Sequence, residues 1–133
     1  MSNANARTLF STAAGFNILA GLPLLVATQP VSQLMGLQTT PTADLFIQVS
    51  MIVVLVFGWA YWKISRDPVR YRPFIVLGII LKILVVAVIG SHWLVGNVAW
   101  PLPTLVASDI VFALLFWRYL SSTRSAQALT QLH

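Results

Sequence analysis

Lys82 and Asp109 are the two charged side chains of this 133-residue chain that fall well inside long apolar runs. A charge at the centre of a membrane helix costs about 2.5 to 3.5 kcal/mol, so two of them in so small a chain call for a physical reason. An ammonium and a carboxylate can neutralise one another, and such a pair can hold helices in register, take a polar ligand or relay a proton. Lys82 lies nine residues beyond Pro73 and Asp109 ten before Tyr119, which puts each about 14 Å deep at about 1.5 Å per residue. Asn17, nine residues beyond Thr8, reaches about the same depth. Asn17, Lys82 and Asp109 are therefore expected to form a hydrogen-bonded ionic cluster and are the main candidates for binding a ligand or a proton.

The neighbouring residue types suit burial of that cluster. Ala14, Asn17 and Gly21 fall on one helical face, and Gly78 lies one turn before Lys82, so small residues leave space beside the polar groups. Ser108 points about 100° away from Asp109 on a helix and is a less direct member. Gln48 and Ser50, about 6 Å nearer the opposite end of the second run by helical rise, are weaker candidates, as lining of an approach. Phe16, Phe112 and Phe116 suit the wall of a pocket or plain packing. His92 is a further weak candidate, as ligand or titrating group, although a lone interfacial His reads first as a hydrogen-bonded boundary residue; His133 is expected in a mobile tail.

Much chemistry lacks its parts. There is no Cys and no Glu, and the acids are Asp44, Asp67 and Asp109. Thiol catalysis, Cys-based metal sites, paired-carboxylate hydrolysis and di-metal centres are thereby excluded. One His near the end of a run does not make a bis-His haem site, and Ser91, His92 and Asp109 are too far apart along the runs for a triad. No glycine loop able to cradle phosphate is present. No catalytic residue, metal or cofactor is expected, and a quinone- or lipid-processing enzyme would have too few acids and bases.

The elements that must position these residues follow from composition. With 58% hydrophobic and 8% charged residues, against about 25% charged in soluble domains, the chain cannot cover a water-facing surface. Four apolar runs, at 8–28, 44–63, 73–93 and 101–120, are each long enough to cross a hydrocarbon core of about 30 Å. Lipid offers no partner to an open backbone, so all four should be helices, even where Val and Ile dominate as in Ile52-Val53-Val54-Leu55-Val56. The first run, preceded by Arg7 and closing on small residues near Ala27, loosely fits a cleaved signal but is taken as a retained span because the chain carries it.

Short connections make successive spans antiparallel neighbours, so the expected fold is all-α, a single-domain transmembrane antiparallel four-helix bundle. Arg7, then Lys63, Arg66, Arg70 and Arg72, then Arg118 and Arg124 gather on one side, while 29–43 and 94–100 hold no Lys or Arg. The positive-inside rule places both termini in the cytoplasm. Trp59, Tyr61, Trp62, Tyr71, Trp117 and Tyr119 are then expected near the inner interface and Trp93 and Trp100 near the outer one. The net charge of +5 accordingly faces the membrane surface rather than nucleic acid. The stretch 30–37, with Pro30 at a possible helix start and apolar Val31, Leu34 and Met35, suits a short interfacial helix or an ordered loop equally. Arg66-Asp67-Pro68 reads as a tight turn, Pro101 and Pro103 suit the first turn of the fourth span, and Pro23 should kink the first. The residues after Ser121 are expected to fray.

Phe16-Asn17 with Gly21, Gly58-Trp59-Ala60-Tyr61, Arg66-Asp67-Pro68, Gly78 with Lys82, and Asp109 followed by Phe112 and Phe116 give the chain a resemblance over most of its length to small four-span integral membrane proteins of bacteria. That resemblance implies a fold and a location in the bacterial cytoplasmic membrane, and no reaction. Small multidrug exporters resemble the chain in size but use a glutamate in the first span, and quinone-linked disulfide-forming enzymes need cysteines; this sequence has neither. The leading expectation is a non-enzymatic membrane protein in contact with lipid, acting as a homo-oligomer or as an accessory subunit of a larger membrane protein. The alternative is a proton-coupled transporter or binding protein for a small apolar or cationic molecule, using Asp109 with Lys82 as counter-ion.

Overall fold

A computed structural model describes the backbone of residues 3–131 and the side chains of residues 4–123. It is all-helical: α1 is Asn3–Val26, α2 Thr28–Leu34, α3 Pro41–Arg66, α4 Arg72–Leu94 and α5 Pro101–Gln131. Four of these, Ala4–Val26, Pro41–Arg66, Arg72–Leu94 and Pro101–Thr123, are long and apolar enough to cross a membrane. The Val- and Ile-rich run 52–56 lies inside α3, since a helix alone satisfies its own backbone without outside partners.

Each boundary has a local cause. Thr40 caps α3, its Oγ1 accepting from the Ala43 amide at 3.1 Å, with Pro41 in the first helical position and Asp44 in the first turn. Asp67 ends the same helix: its amide donates to the Lys63 carbonyl at 3.2 Å, and its Oδ1 accepts from the Arg70 amide at 3.2 Å. Pro68, which cannot donate, follows at once. Pro23 lies within α1, four residues before Ala27, whose amide donates to the Pro23 carbonyl at 2.8 Å. The 30–37 stretch is partly helical, as α2, with Thr28 Oγ1 bonded to the Leu25 carbonyl at 3.2 Å. One expectation is corrected here: α5 continues to Gln131 instead of fraying after Ser121. The residues that follow Ser121 include no proline or glycine to stop the helix. His133 lies outside the described residues.

Helix pairing follows residue size. The most extensive packing joins α1 to α3 and the next α4 to α5, with lighter contact between the two pairs. Along α1, buried Ala14, Asn17 and Gly21 give α3 a flat face to approach. A Cβ on Gly21 would lie 3.1 Å from Val54 Cγ1, and one on Gly58 would lie 3.3 Å from Asn17 Cβ. The two chain-reversing connections at one end also meet. Gly36, at φ +72°, sits where a Cβ would be 2.6 Å from that of Ala99, so it needs both the left-handed conformation and the missing side chain. At the other end Arg72 Nη2 donates to the Leu120 carbonyl at 2.8 Å and Nη1 bonds Thr123 Oγ1.

The main cluster of buried apolar side chains lies towards this second end, with Leu24 and Val106 buried separately nearer the first. The cluster comprises Ala6, Phe10, Ala13 and Ala14 of α1, Tyr61 and Ile64 of α3, Ile75 and Ile79 of α4, and Phe116 and Tyr119 of α5. Phe10 packs at a tilt on Phe116 at 4.7 Å between ring centroids and meets Tyr119 edge-on at 5.7 Å, while Phe16 meets Phe112 at 5.4 Å. Large apolar side chains elsewhere point outward, and only 6% of the most apolar window of α3 is buried. Such a surface suits lipid, where an exposed Leu or Val loses nothing.

Candidate functional site

Lys82 projects from α4 and Asp109 from α5, and Lys82 Nζ lies 2.6 Å from Asp109 Oδ1. Lys82 is 4% exposed and Asp109 18%. The ammonium is also faced by two ring planes, with centroids at 5.3 Å for Tyr61 and 5.4 Å for Phe112. Charge and two aromatic quadrupoles thus replace the water that the cation loses on burial. The sequence brings these groups together because Lys82 and Asp109 stand at matching depths on the two helices, and because Gly78 leaves room. A Cβ on Gly78 would lie 2.7 Å from Tyr61 Cε1 and 2.9 Å from its hydroxyl.

Asn17 reaches the same level but makes a different bond. Its Nδ2 donates to the Val54 carbonyl of α3 at 3.1 Å, which fastens α1 to α3 rather than to the ion pair. The physical reason is proximity: the α1–α3 contact is the most extensive in the described residues, and Gly58 admits the Asn17 side chain against the α3 backbone. All three residues nevertheless line one cavity of about 130 Å³. Its walls run from Asn17 to Leu24 on α1, from Tyr61 to Met51 on α3, from Lys82 to Ile89 on α4 and from Asp109 to Leu102 on α5. The ion pair and Tyr61 stand at one end of the cavity, against the packed core, and the space extends away from them between apolar side chains. Asp109 and Lys82 also border a second hollow of about 430 Å³ along α4 and α5, lined by Ile79, Ile83, Ile110 and Trp117 among others. The pair therefore separates two apolar spaces.

Tyr61 is the residue that sequence reasoning misplaced. It is fully buried among the helices instead of facing outward like Trp59 and Trp62, and its hydroxyl has no hydrogen-bond partner. Tyr119, also expected at the interface, is 2% exposed within the core. The signal available for Tyr61 was Gly78: a glycine one turn before a buried Lys makes room for something large. Phe16 lines the cavity and Phe112 covers Lys82, while Phe116 belongs to the packed core. The weaker candidates lie elsewhere. Gln48 donates to Thr28 Oγ1 at 3.1 Å, tying α3 to α2; Ser50 is exposed; His92 Nδ1 is 3.1 Å from Asn97 Nδ2 in an exposed turn. None of the three lines the cavity. Among the described residues, no three His, Cys, Asp or Glu side chains gather into a metal site.

No family model matches the chain, and neither a curated protein nor a solved structure does.

Proposed function

We propose that the chain is a small non-enzymatic protein of the bacterial cytoplasmic membrane, a single-domain antiparallel four-helix bundle with both termini in the cytoplasm. It acts as a homo-oligomer or as an accessory subunit of a larger membrane protein. Support for the antiparallel arrangement lies in the pairings. Phe10 meets Tyr119 and Phe16 meets Phe112, while Arg72 meets Leu120 and Lys82 meets Asp109, so numbers rise on one helix as they fall on the other. Support for the orientation lies in Arg7, Lys63, Arg66, Arg70, Arg72 and Arg118 gathering at one end.

The observation that carries the structural role is the mutual satisfaction of Lys82 and Asp109 at 2.6 Å. A neutralised, ring-covered pair holds α4 to α5 and leaves no free charge for chemistry. The test is gentle extraction in native lipid followed by mass spectrometry of the intact assembly, for the wild type and for Lys82→Met/Asp109→Leu. The same oligomer or protein partner in both is expected. Loss of that assembly in a folded double variant would overturn the reading. Because the chain has no Cys, single cysteines in 67–71 and 95–100 report the orientation through a membrane-impermeant thiol reagent.

A second reading rests on the cavity beside the pair: a binding protein or proton-coupled transporter for a small apolar or cationic molecule, with Asn17, Lys82 and Asp109 at the site. A hollow of about 130 Å³ is close to the size of an engineered cavity of about 150 Å³ that takes benzene. A small molecule that co-purifies with the wild type and is lost from Asp109→Asn supports this reading; retention in that variant counts against it.

A further inference from the structure

The turn that joins α3 to α4 carries cations that the ion pair does not use. Lys63 Nζ lies 5.6 Å from the Trp59 ring and 5.9 Å from the Trp62 ring, Arg66 lies 5.2 Å from Trp62, and Arg70 lies 5.5 Å from Tyr71. Stacking on ring faces holds these side chains in place while leaving their charge available. Among the described residues the sole ion pair is Lys82–Asp109, so none of the three is neutralised by a carboxylate. Asp67, the acid within this turn, spends Oδ1 on the Arg70 amide.

Directly along the same face runs an apolar groove of about 180 Å³ between α3 and α4, formed by Val56, Phe57, Trp59, Ala60, Phe74 and Leu77. Val56, Trp59, Ala60 and Lys63 are spaced i, i+3, i+4 and i+7, so Lys63 stands at the groove's mouth on the α3 side. On the α4 side Phe74, a groove wall, stacks at 5.3 Å on Tyr71, the ring that carries Arg70. Each wall therefore ends in an aromatic ring with a cation on it, at the end of the spans where lipid headgroups would lie.

We propose that this groove is a binding site for one anionic phospholipid, with its phosphate between Lys63 and Arg70 and an acyl chain along Val56, Ala60 and Leu77. A membrane lipid is the occupant that supplies both a negative headgroup and a chain able to fill an apolar channel below it. The site is separate from the cavity beside Lys82, so the two can fail independently.

The test uses the full chain in detergent, titrated with phosphatidylglycerol or phosphatidylcholine and read by native mass spectrometry. The wild type should retain phosphatidylglycerol in preference. Lys63→Gln and Arg70→Gln should each weaken retention about fivefold, and together about thirtyfold, from about 1 kcal/mol per cation. Arg118→Gln, a cation on α5 away from the groove, should leave retention unchanged. Ala60→Leu, which fills the groove and keeps both cations, should weaken it, as should Leu77→Trp from the other wall. Equal loss in Arg118→Gln, equal retention of phosphatidylcholine, or full retention in both groove-filling variants would overturn the proposal.

Discussion

Removing one member of the Lys82–Asp109 pair should cost far more than removing both. At 2.6 Å the attraction between unit charges is about 6 kcal/mol at an effective dielectric constant near 20, and desolvation opposes most of it. Deleting one partner of a buried pair leaves that desolvation uncompensated, at about 3 to 5 kcal/mol. Asp109→Asn should fall near the lower figure, because the Tyr61 and Phe112 rings still face the ammonium. Lys82→Met removes the charge that the rings cover and leaves the carboxylate with no cation, so it should fall toward the upper figure. Lys82→Met/Asp109→Leu, of similar volume and with no charge to solvate, should lie within about 1 kcal/mol of the wild type. The assay is reversible unfolding in lipid–detergent micelles, followed by the fluorescence of the five Trp residues. Additive single losses, or single losses below about 1 kcal/mol, would refute the reasoning; such small values are typical of hydrogen bonds between membrane helices, about 0.6 kcal/mol on average.

Gly78→Ala should destabilise by about 1 to 3 kcal/mol through overpacking, because its Cβ would meet the Tyr61 ring at 2.7 Å; the same unfolding assay should show part of the loss recovered in Gly78→Ala/Tyr61→Leu. Asn17→Ala should cost about 1 kcal/mol, since the Val54 carbonyl keeps its place in the α3 backbone, and it should leave the effect of Asp109→Asn unchanged because Asn17 bonds α3 and not the ion pair.

The four long helices were legible because their cause is a length of apolar chain, which counting reveals. The meeting of Lys82 with Asp109 was legible for the same reason: depth along a helix is a matter of residue number. Rotation about the helix axis is not, and there the sequence reading went astray. Asn17 lies at the anticipated depth, but the small face made by Ala14, Asn17 and Gly21 turns toward α3, so its amide meets Val54. Tyr61 follows Trp59 and precedes Trp62, and an interfacial belt predicts all three alike. Only the two Trp side chains point outward, because Tyr61 faces the gap above Gly78. The α5 boundary was missed because polar residues signal departure from lipid, which is not the same event as the end of a helix.

The ion pair also marks a change in packing along the molecule, and that contrast can be tested within one helix. On one side lie the buried aromatic rings around Phe10, Tyr61 and Phe116; on the other is the cavity that reaches Leu24, Ile89 and Leu102. Ala13 is fully buried in the first region and Ala20 lines the second. They are seven residues apart on α1, so they share a face, and an Ala→Leu change alters helix propensity equally at both. Any difference in stability between the two variants must then come from the space each side chain enters. Ala13→Leu has no room and should cost about 1 to 3 kcal/mol, whereas Ala20→Leu fills a void and should be neutral or stabilising by about 0.5 to 2 kcal/mol. Equal losses at the two positions would show that the space beside Asn17 is already occupied by protein, and the ion pair would then sit in a uniformly packed interior with no cavity for a ligand to enter.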